Sequence, residues 1–414
     1  MKGNYFIFIS SIFVSSIGGG TIIGLSEKIH SGFFFYSYAA ILAILVDLLI
    51  AKYVVPKLSQ KFCNMHTVGE IFAIYYGVWG KILGGSIAAI TSLGLVAAQL
   101  NVSGKVFEYI LDIEYVYGVI LSLLVVLLYT SFGGISSILF SNKIQFFAIV
   151  ISIPVLSFFS FKNMDIHELQ NVISHSFGKD KILIFLVFLN FVTMNLFPNF
   201  IQRVTLTNDY KMIQNSIYVK SFIYLLLLIM IILNAVTAKK FFPSIESKFA
   251  LPAIINQLIP YYLQPLIIIG IFASIASTID SDINISSISL TRDVFQEFFP
   301  KILVNRHLLI TKITSVFVGI IAANLAMMFD YVLDLVIFIA GFWGSAVLPG
   351  LLFVIFDFVI KKKFFLFCSM IGFFIFIAYE FLYRDNVLRG VFWGGMTNFS
   401  CLSIFLLVQK YYKK

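Results

Sequence analysis

A segment crosses a lipid bilayer as a helix when about 20 consecutive residues are predominantly apolar, and this chain of 414 residues carries such stretches almost end to end. Twelve are read, with soft edges, at 4–25, 33–55, 81–110, 115–132, 136–160, 183–206, 214–238, 262–290, 308–329, 332–358, 364–383 and 389–409. Inside lipid the backbone has no water to bond to, so each of these stretches is expected to satisfy its amides internally, as a helix. The expected fold is an all-α polytopic membrane protein with about 12 transmembrane helices, in one membrane transport domain over residues 1–414. Composition agrees: 60% of residues are hydrophobic and 12% are charged, against about 25% charged in a soluble domain. The apolar N-terminal stretch lacks a small-x-small cleavage site and runs straight on into Ile22-Ile23-Gly24. It is read as a spanning helix and not as a signal peptide.

An even number of spans puts both termini on one side. With the N-terminus cytoplasmic, that side collects most of the 29 Lys and Arg residues, among them Lys52, Lys57, Lys61, Lys143, Arg203, Lys220, Arg292 and Lys361 to Lys363. This is the bias that orients membrane proteins, so the net charge of +9 needs no nucleic acid to explain it. The expected location is the inner (cell) membrane of a bacterium with both termini cytoplasmic. Cys63, Cys368 and Cys401 are far apart, and the five histidines show no HExxH spacing. Neither a disulfide framework nor a thiolate metal site follows. Without a nucleophile–base pair, a metal cluster or a nucleotide loop in the sequence, an enzyme is disfavoured.

Three places interrupt the apolar runs. In the first span Ser15-Ser16-Ile17-Gly18-Gly19-Gly20-Thr21 carries three successive glycines, each weakening a helix by about 1 kcal/mol relative to alanine. Gly20 and Gly24 also form a GxxxG packing pair, but packing does not need Gly18 and Gly19 as well. A broken helix that lets a ligand approach the backbone is the sharper reading. In the sixth span Asn195-Leu196-Phe197-Pro198-Asn199 places a proline between two amides; alone this is an ordinary kink. Interruptions at the first and sixth positions together are the sign of two inverted five-helix repeats with solute and ions bound at the breaks. The repeats would be 1–160 and 183–358, with two further helices over 364–409.

The third interruption lies in the eighth span. At 100° per residue, Ser274, Ser277, Thr278, Ser281 and Asn284 share one arc, flanked by Asp280 and Asp282. Serine and threonine hydroxyls often bond back to their own helix, and that is the plain alternative here. A cluster of neutral oxygens beside carboxylates also suits a small hard cation, and intramembrane carboxylates mark ion paths.

The order of these motifs resembles the solute:sodium symporter family of proline, pantothenate and sugar carriers. Thr67-Val68-Gly69-Glu70 with Tyr76-Gly77 resembles its segment before the third core helix, and Ala97-Ala98-Gln99-Leu100 with Gly104 that helix itself. Tyr129-Thr130-Ser131-Phe132-Gly133-Gly134-Ile135 with Gln145 is similar to the loop and start of the fifth. Pro198 with Ile201-Gln202-Arg203 resembles the end of the sixth, and Ser277-Thr278-Ile279-Asp280-Ser281 with Thr291-Arg292-Asp293 the eighth-helix signature. The resemblance implies a LeuT-type 5+5 inverted repeat and alternating access. It implies a sodium site made by the Ser277 and Thr278 side chains and the Ser274, Val14 and Ile17 carbonyls. Three departures stand out: Ser141-Asn142 where the family has Thr-Asp, Asp282 outside the family pattern, and no helix ahead of the first core helix.

The expected function is sodium-coupled import of a small organic solute. The solute site is expected at Gly18, Gly19, Gly20, Thr21, Gln99 and Asn195, sodium at Val14, Ile17, Ser274, Ser277 and Thr278, and a further ion path at Asp280 and Asp282. Free amides at the glycine break favour an amino acid or other carboxylate. However, Gly20 and Thr21 stand where sugar carriers have polar ligands, and Ser16 where proline carriers have an aspartate. Sodium is the coupling ion and no cofactor is expected. Proton coupling through Asp280 or Asp282, and a membrane sensor that binds solute without transport, are the rival readings.

Overall fold

The computed structural model describes residues 5–162, 181–303, 306–383 and 387–411. The side chains at 129–139, 302–303 and 410 lie outside that description, and with them the resembling motif at 129–135. Among the described residues the chain is helical, with no strand. The principal helices are α1 (Tyr5–Ser16), α2 (Gly20–His30), α3 (Phe35–Lys61), α4 (Val68–Leu111), α5 (Tyr115–Phe161), α6 (Lys181–Met194), α7 (Pro198–Thr205) and α8 (Tyr210–Phe241). They continue as α9 (Ala250–Leu258), α10 (Tyr261–Phe298), α11 (His307–Ala326), α12 (Val332–Ala346), α13 (Leu348–Ile355), α14 (Lys362–Leu382) and α15 (Val387–Tyr411).

Nine helices among the described residues are long and apolar enough to cross a bilayer, and two bent pairs raise the number to eleven. The pairs are α1 with α2, bent by 45°, and α12 with α13, bent by 49°. The shorter apolar helix Tyr115–Leu128 occupies the remaining expected stretch. The two stretches expected at 115–132 and 136–160 both fall within the helical run of α5.

Local chemistry explains where the elements begin and break. At the start of α4, the Thr67 hydroxyl accepts from the Glu70 amide at 3.1 Å and the Glu70 carboxylate accepts from the His66 amide at 2.7 Å. Two donors at the helix end are satisfied in this way. Gly77 then kinks α4 with φ 66° and ψ −158°, a conformation that glycine alone adopts readily. The helix thus begins well before residue 81, and the kink absorbs the extra turns. In the sixth span, Phe197 is extended (φ −63°, ψ 161°) and Pro198 opens α7 at its first position, where its missing N–H costs nothing. The first span breaks over residues 17–19, after which α2 starts with a π-helical turn, Gly20–Gly24.

Both interruptions therefore exist, and the helices around them hold them in the middle of the molecule. The helix α10 carries Ile267, Ile271, Ile275, Ile279 and Ile283, all buried. Its hydroxyl face meets α1, where Ser277 reaches the Val14 carbonyl. The helix α4 supplies Gln99 to the first break, and is itself pinned to the end of α11 by Asn101, whose amide donates to the Ala326 and Phe329 carbonyls at 2.9 and 2.7 Å.

Candidate functional site

The two breaks face a common cavity of about 170 Å³. Gly18, Gly20 and Thr21 line it from the first break, and Asn195, Phe197 and Asn199 from the second. Gln99 of α4 and Thr278 of α10 add to the polar part of the wall, and Phe191, Phe200, Leu333 and Val336 form much of the apolar part. Asn195 is held in place by donating to the Ala43 carbonyl at 3.0 Å. Thr21 and Tyr224 bring their hydroxyl oxygens to 3.5 Å of each other across the cavity.

Of the expected solute residues, Gly19 is the one that does not line this cavity. Its amide donates to Gln99 Oε1 at 2.7 Å, and a Cβ at this position would lie 2.8 Å from a Val102 methyl. The Thr21 and Ile22 amides both bond to the Gly18 carbonyl, at 3.0 and 3.2 Å. The expectation of free amides along the break is corrected accordingly, because the chain itself occupies these three donors. Gly18 does face the cavity, with Gln99 Nε2 and Thr278 Oγ1 each 3.0 Å from where a Cβ would stand.

Four of the five oxygens named for sodium, those of Val14, Ser274, Ser277 and Thr278, come together across α1 and α10. Ser277 Oγ lies 3.3 Å from the Val14 carbonyl and 2.8 Å from the Ser274 carbonyl, and Thr278 Oγ1 lies 3.2 Å from the latter. Ile17 is fully buried at the break itself. Hydroxyl back-bonding and a shared oxygen cluster therefore coexist: both side chains bond back to Ser274, while Ser277 also reaches the other helix. A cluster of hydroxyls and carbonyls from two helices matches the ligand preference of a hard cation. Such an ion would bond to both helices at once.

Asp280 and Asp282 are fully buried but are not among the residues that line the cavity. Ser281 donates to Asp280 at 3.1 Å. Asp282 has Ser92 and Asn199 beside it, but its oxygens make no hydrogen bond of ordinary geometry among the described residues. Both carboxylates lie within electrostatic reach of Arg203. That arginine, expected among the loop cations, is buried instead, and donates to Ser11 at 3.1 Å, the Asn199 carbonyl at 3.1 Å and Ser281 at 2.9 Å. Asn142 donates to the same Ser11 hydroxyl at 3.1 Å. The amide standing in place of the family's aspartate thus shares its hydroxyl with a guanidinium.

Sequence reasoning missed the charged residues of the cavity, Arg203 and the pair Asp47 and Lys220. Lys220, also expected among the loop cations, is buried in α8 with its Nζ 2.5 Å from the carboxylate of Asp47 in α3. The signal was present, since an ionisable side chain within an apolar span is a functional flag by default.

Paired interrupted helices around a central cavity, with an oxygen cluster joining the first and eighth spans, are the architecture of the LeuT-type fold: a 5+5 inverted repeat followed by two C-terminal helices. Comparison with known proteins agrees and narrows the class. The Sodium:solute symporter family profile matches residues 5–372, and the chain belongs to that family. Its long apolar helices and this membership make it an integral membrane protein. The osmoregulated proline transporter OpuE of Bacillus subtilis is 24% identical over 281 residues, covering 63% of this chain and 56% of OpuE. The match thus spans little more than half the length of that relative. Among solved structures, a Na+-coupled sialic acid symporter in a substrate-bound outward-open state superposes with a TM-score of 0.79 at 16% identity, over 98% of this chain and 90% of the other. The nucleobase-cation-symport-1 transporter Mhp1, in a closed conformation, gives 0.64 at 10% identity, over 98% and 93%.

Proposed function

We propose that this chain is a sodium-coupled symporter that imports a small organic solute, an amino acid or other carboxylate, by alternating access. The observation that carries this reading is the position of Ser277 Oγ, 3.3 Å from the Val14 carbonyl and 2.8 Å from that of Ser274. One sodium ion held there joins the first and eighth helices beside the cavity in which the solute binds. Solute affinity and ion occupancy are thereby linked, because both depend on how α1 packs against α10. The solutes named for two relatives, proline and sialic acid, both carry a carboxylate, which supports that class here.

The repeats are 1–160 and 183–358, with the pair at 364–409 outside them. The excess of basic residues on one side supports a bacterial inner membrane location with both termini cytoplasmic. One sodium ion crossing ~100 mV releases about 2.3 kcal/mol, and a tenfold gradient adds about 1.4 kcal/mol. Together these sustain roughly several-hundred-fold accumulation of a neutral solute.

The test is uptake into proteoliposomes by the double variant Ser277→Ala with Thr278→Ala. Sodium-stimulated uptake is expected to vanish while the protein stays folded; undiminished sodium dependence refutes the site. The buried Asp282 carboxylate, which makes no hydrogen bond of ordinary geometry among the described residues, favours proton coupling as the second reading. Uptake driven by a pH gradient in sodium-free buffer selects it.

A further inference from the structure

Asp47 and Lys220 lie within apolar helices, α3 and α8, and both line the cavity. They are 6% and 5% exposed, and Nζ stands 2.5 Å from Oδ2. Among the described residues each is the other's only side-chain hydrogen-bond partner, and Lys220 also lies 5.2 Å from the centre of the Tyr224 ring. That single bond uses one of two carboxylate oxygens and one of three ammonium protons. A buried ion pair is a weak device for merely holding two helices together, since well-packed apolar residues do as well or better. Ionisable groups are kept inside membrane helices where a ligand or ion meets them.

The rest of the wall sharpens the point. Among the described residues Asp47 is the only carboxylate lining the cavity, and Arg203 is the only cation besides Lys220. Arg203 directs its Nε, Nη1 and Nη2 to Ser11, Asn199 and Ser281, so it is engaged within the protein. Lys220 and Asp47 bond only to each other among the described side chains, which leaves two ammonium protons and one carboxylate oxygen for a ligand, whereas each of the three guanidinium nitrogens of Arg203 already holds a bond within the protein. A plain carboxylate arriving at Lys220 would stand beside the Asp47 anion, and a plain amine at Asp47 would stand beside the Lys220 cation. Each meets attraction and repulsion together, and only a molecule with both charges a few ångströms apart satisfies the pair.

We propose that Asp47 and Lys220 are the specificity pair of the solute site, and that the solute is a small zwitterionic amino acid. Lys220 Nζ takes its carboxylate and Asp47 takes its ammonium. This rests on the symporter reading above and narrows its solute class.

The purified full-length protein is screened by thermal shift against the twenty amino acids in sodium buffer. The desamino acid and the descarboxy amine of any stabilising amino acid are then titrated beside it. One or more amino acids are expected to stabilise, and both analogues to bind weaker by on the order of 100-fold. The charge swap Asp47→Lys with Lys220→Asp keeps an ion pair but reverses the wall. It is expected to keep its melting temperature and lose amino-acid binding by on the order of 100-fold. Asp47→Asn alone leaves Lys220 without its anion, so the desamino acid is expected to bind as tightly as the amino acid or tighter, an inversion that a structural clip does not produce.

The proposal is overturned if no amino acid stabilises the protein, if the desamino acid matches its parent on wild type, or if the charge swap or Asp47→Asn retains wild-type discrimination. Sodium-driven uptake of a solute that is not a zwitterion also overturns it and leaves the symporter reading intact. Amino-acid binding without any sodium-driven uptake does the reverse.

Discussion

The backbone N–H of Gly19 donates to Gln99 Oε1 at 2.7 Å, a bond across 80 residues of sequence that ties the break in the first span to the middle of α4. A helix that stops in a membrane leaves amide donors with no water to turn to, and each must find a partner. Gln99, 3% exposed, is that partner for Gly19. Its other end stands close to Gly18, on the cavity side. The geometry of the break therefore depends on one side chain, which is also a wall of the site.

Gln99→Leu removes the acceptor and leaves the Gly19 amide buried without a partner, at a cost of about 1–3 kcal/mol. Both melting temperature and solute affinity are expected to fall, the affinity by roughly tenfold or more. Gln99→Glu keeps an acceptor at the same reach, so it recovers most of the stability. Titration of both variants by thermal shift checks this; a Leu variant as stable as wild type refutes the role given to the bond.

Gly18 and Gly20 make a paired comparison. A methyl at Gly18 would lie 3.0 Å from both Gln99 Nε2 and Thr278 Oγ1, whereas one at Gly20 would come no nearer than 3.7 Å to its closest neighbour, Val336. Gly18→Ala must therefore push on the proposed sodium ligand, and Gly20→Ala need not. Sodium affinity is expected to drop by about tenfold in the first, near 1.4 kcal/mol, and to hold within a factor of two or three in the second. Measuring the sodium concentration for half-maximal uptake in both variants decides it, and equal effects refute the assignment.

Outside the spans, Asp357 follows α13 in the left-handed region, with φ 65°. Its hydrogen bond from Lys61 holds its carboxyl below the usual carboxylate range. A carboxylate with a depressed folded-state pKa stabilises the fold above its unfolded value, and that contribution is lost as pH falls through the folded value. Asp357→Asn tolerates the same backbone conformation but carries no charge. At neutral pH it is expected to be slightly less stable than wild type, with the difference closing under acid. The gap is small because the pair is exposed to solvent. A gap that widens on acidification, followed by melting temperature against pH, contradicts the pairing.

Much of this architecture could be read from the sequence because its signals are local. Apolar length locates the spans, three glycines mark one break, and Pro198 between amides marks the other. The hydroxyl arc of α10 follows from helical periodicity, and Ser277 does meet Val14. What escaped depends on contacts between distant segments. Lys220 lies within a few residues of a span boundary, where a charge count assigns it to a loop, but its partner Asp47 is 173 residues away. Arg203 escaped for the same reason, its Ser11 and Ser281 contacts being 192 and 78 residues distant. Nor could the glycine run reveal which of its amides the chain already uses. That answer lies in Gln99, and only the packed fold brings it there.

The last relationship lies where α2, α4 and α12 meet. Lys105 Nζ stands 2.7 Å from Glu27 Oε1 and 2.5 Å from the Asp330 carbonyl, and Glu27 Oε2 accepts from the Val332 amide at 3.1 Å. The two side chains are 3% and 1% exposed. This cluster fixes the second half of the broken first span to the start of α12, so it sets where Gly20 and Thr21 sit relative to Val336 across the cavity. Removing one charge of a buried pair strands the other, at about 3–5 kcal/mol. Lys105→Met is therefore expected to cost that much, because Glu27 is left buried without its partner. Adding Glu27→Gln removes the stranded charge while retaining an acceptor for Val332, and should recover more than half of the loss. The interaction energy from such a cycle is therefore expected at about 2 kcal/mol or more, measured from the melting temperatures of the four proteins in one detergent. Additive losses would show that the two side chains act independently and that the fixation of α2 lies elsewhere.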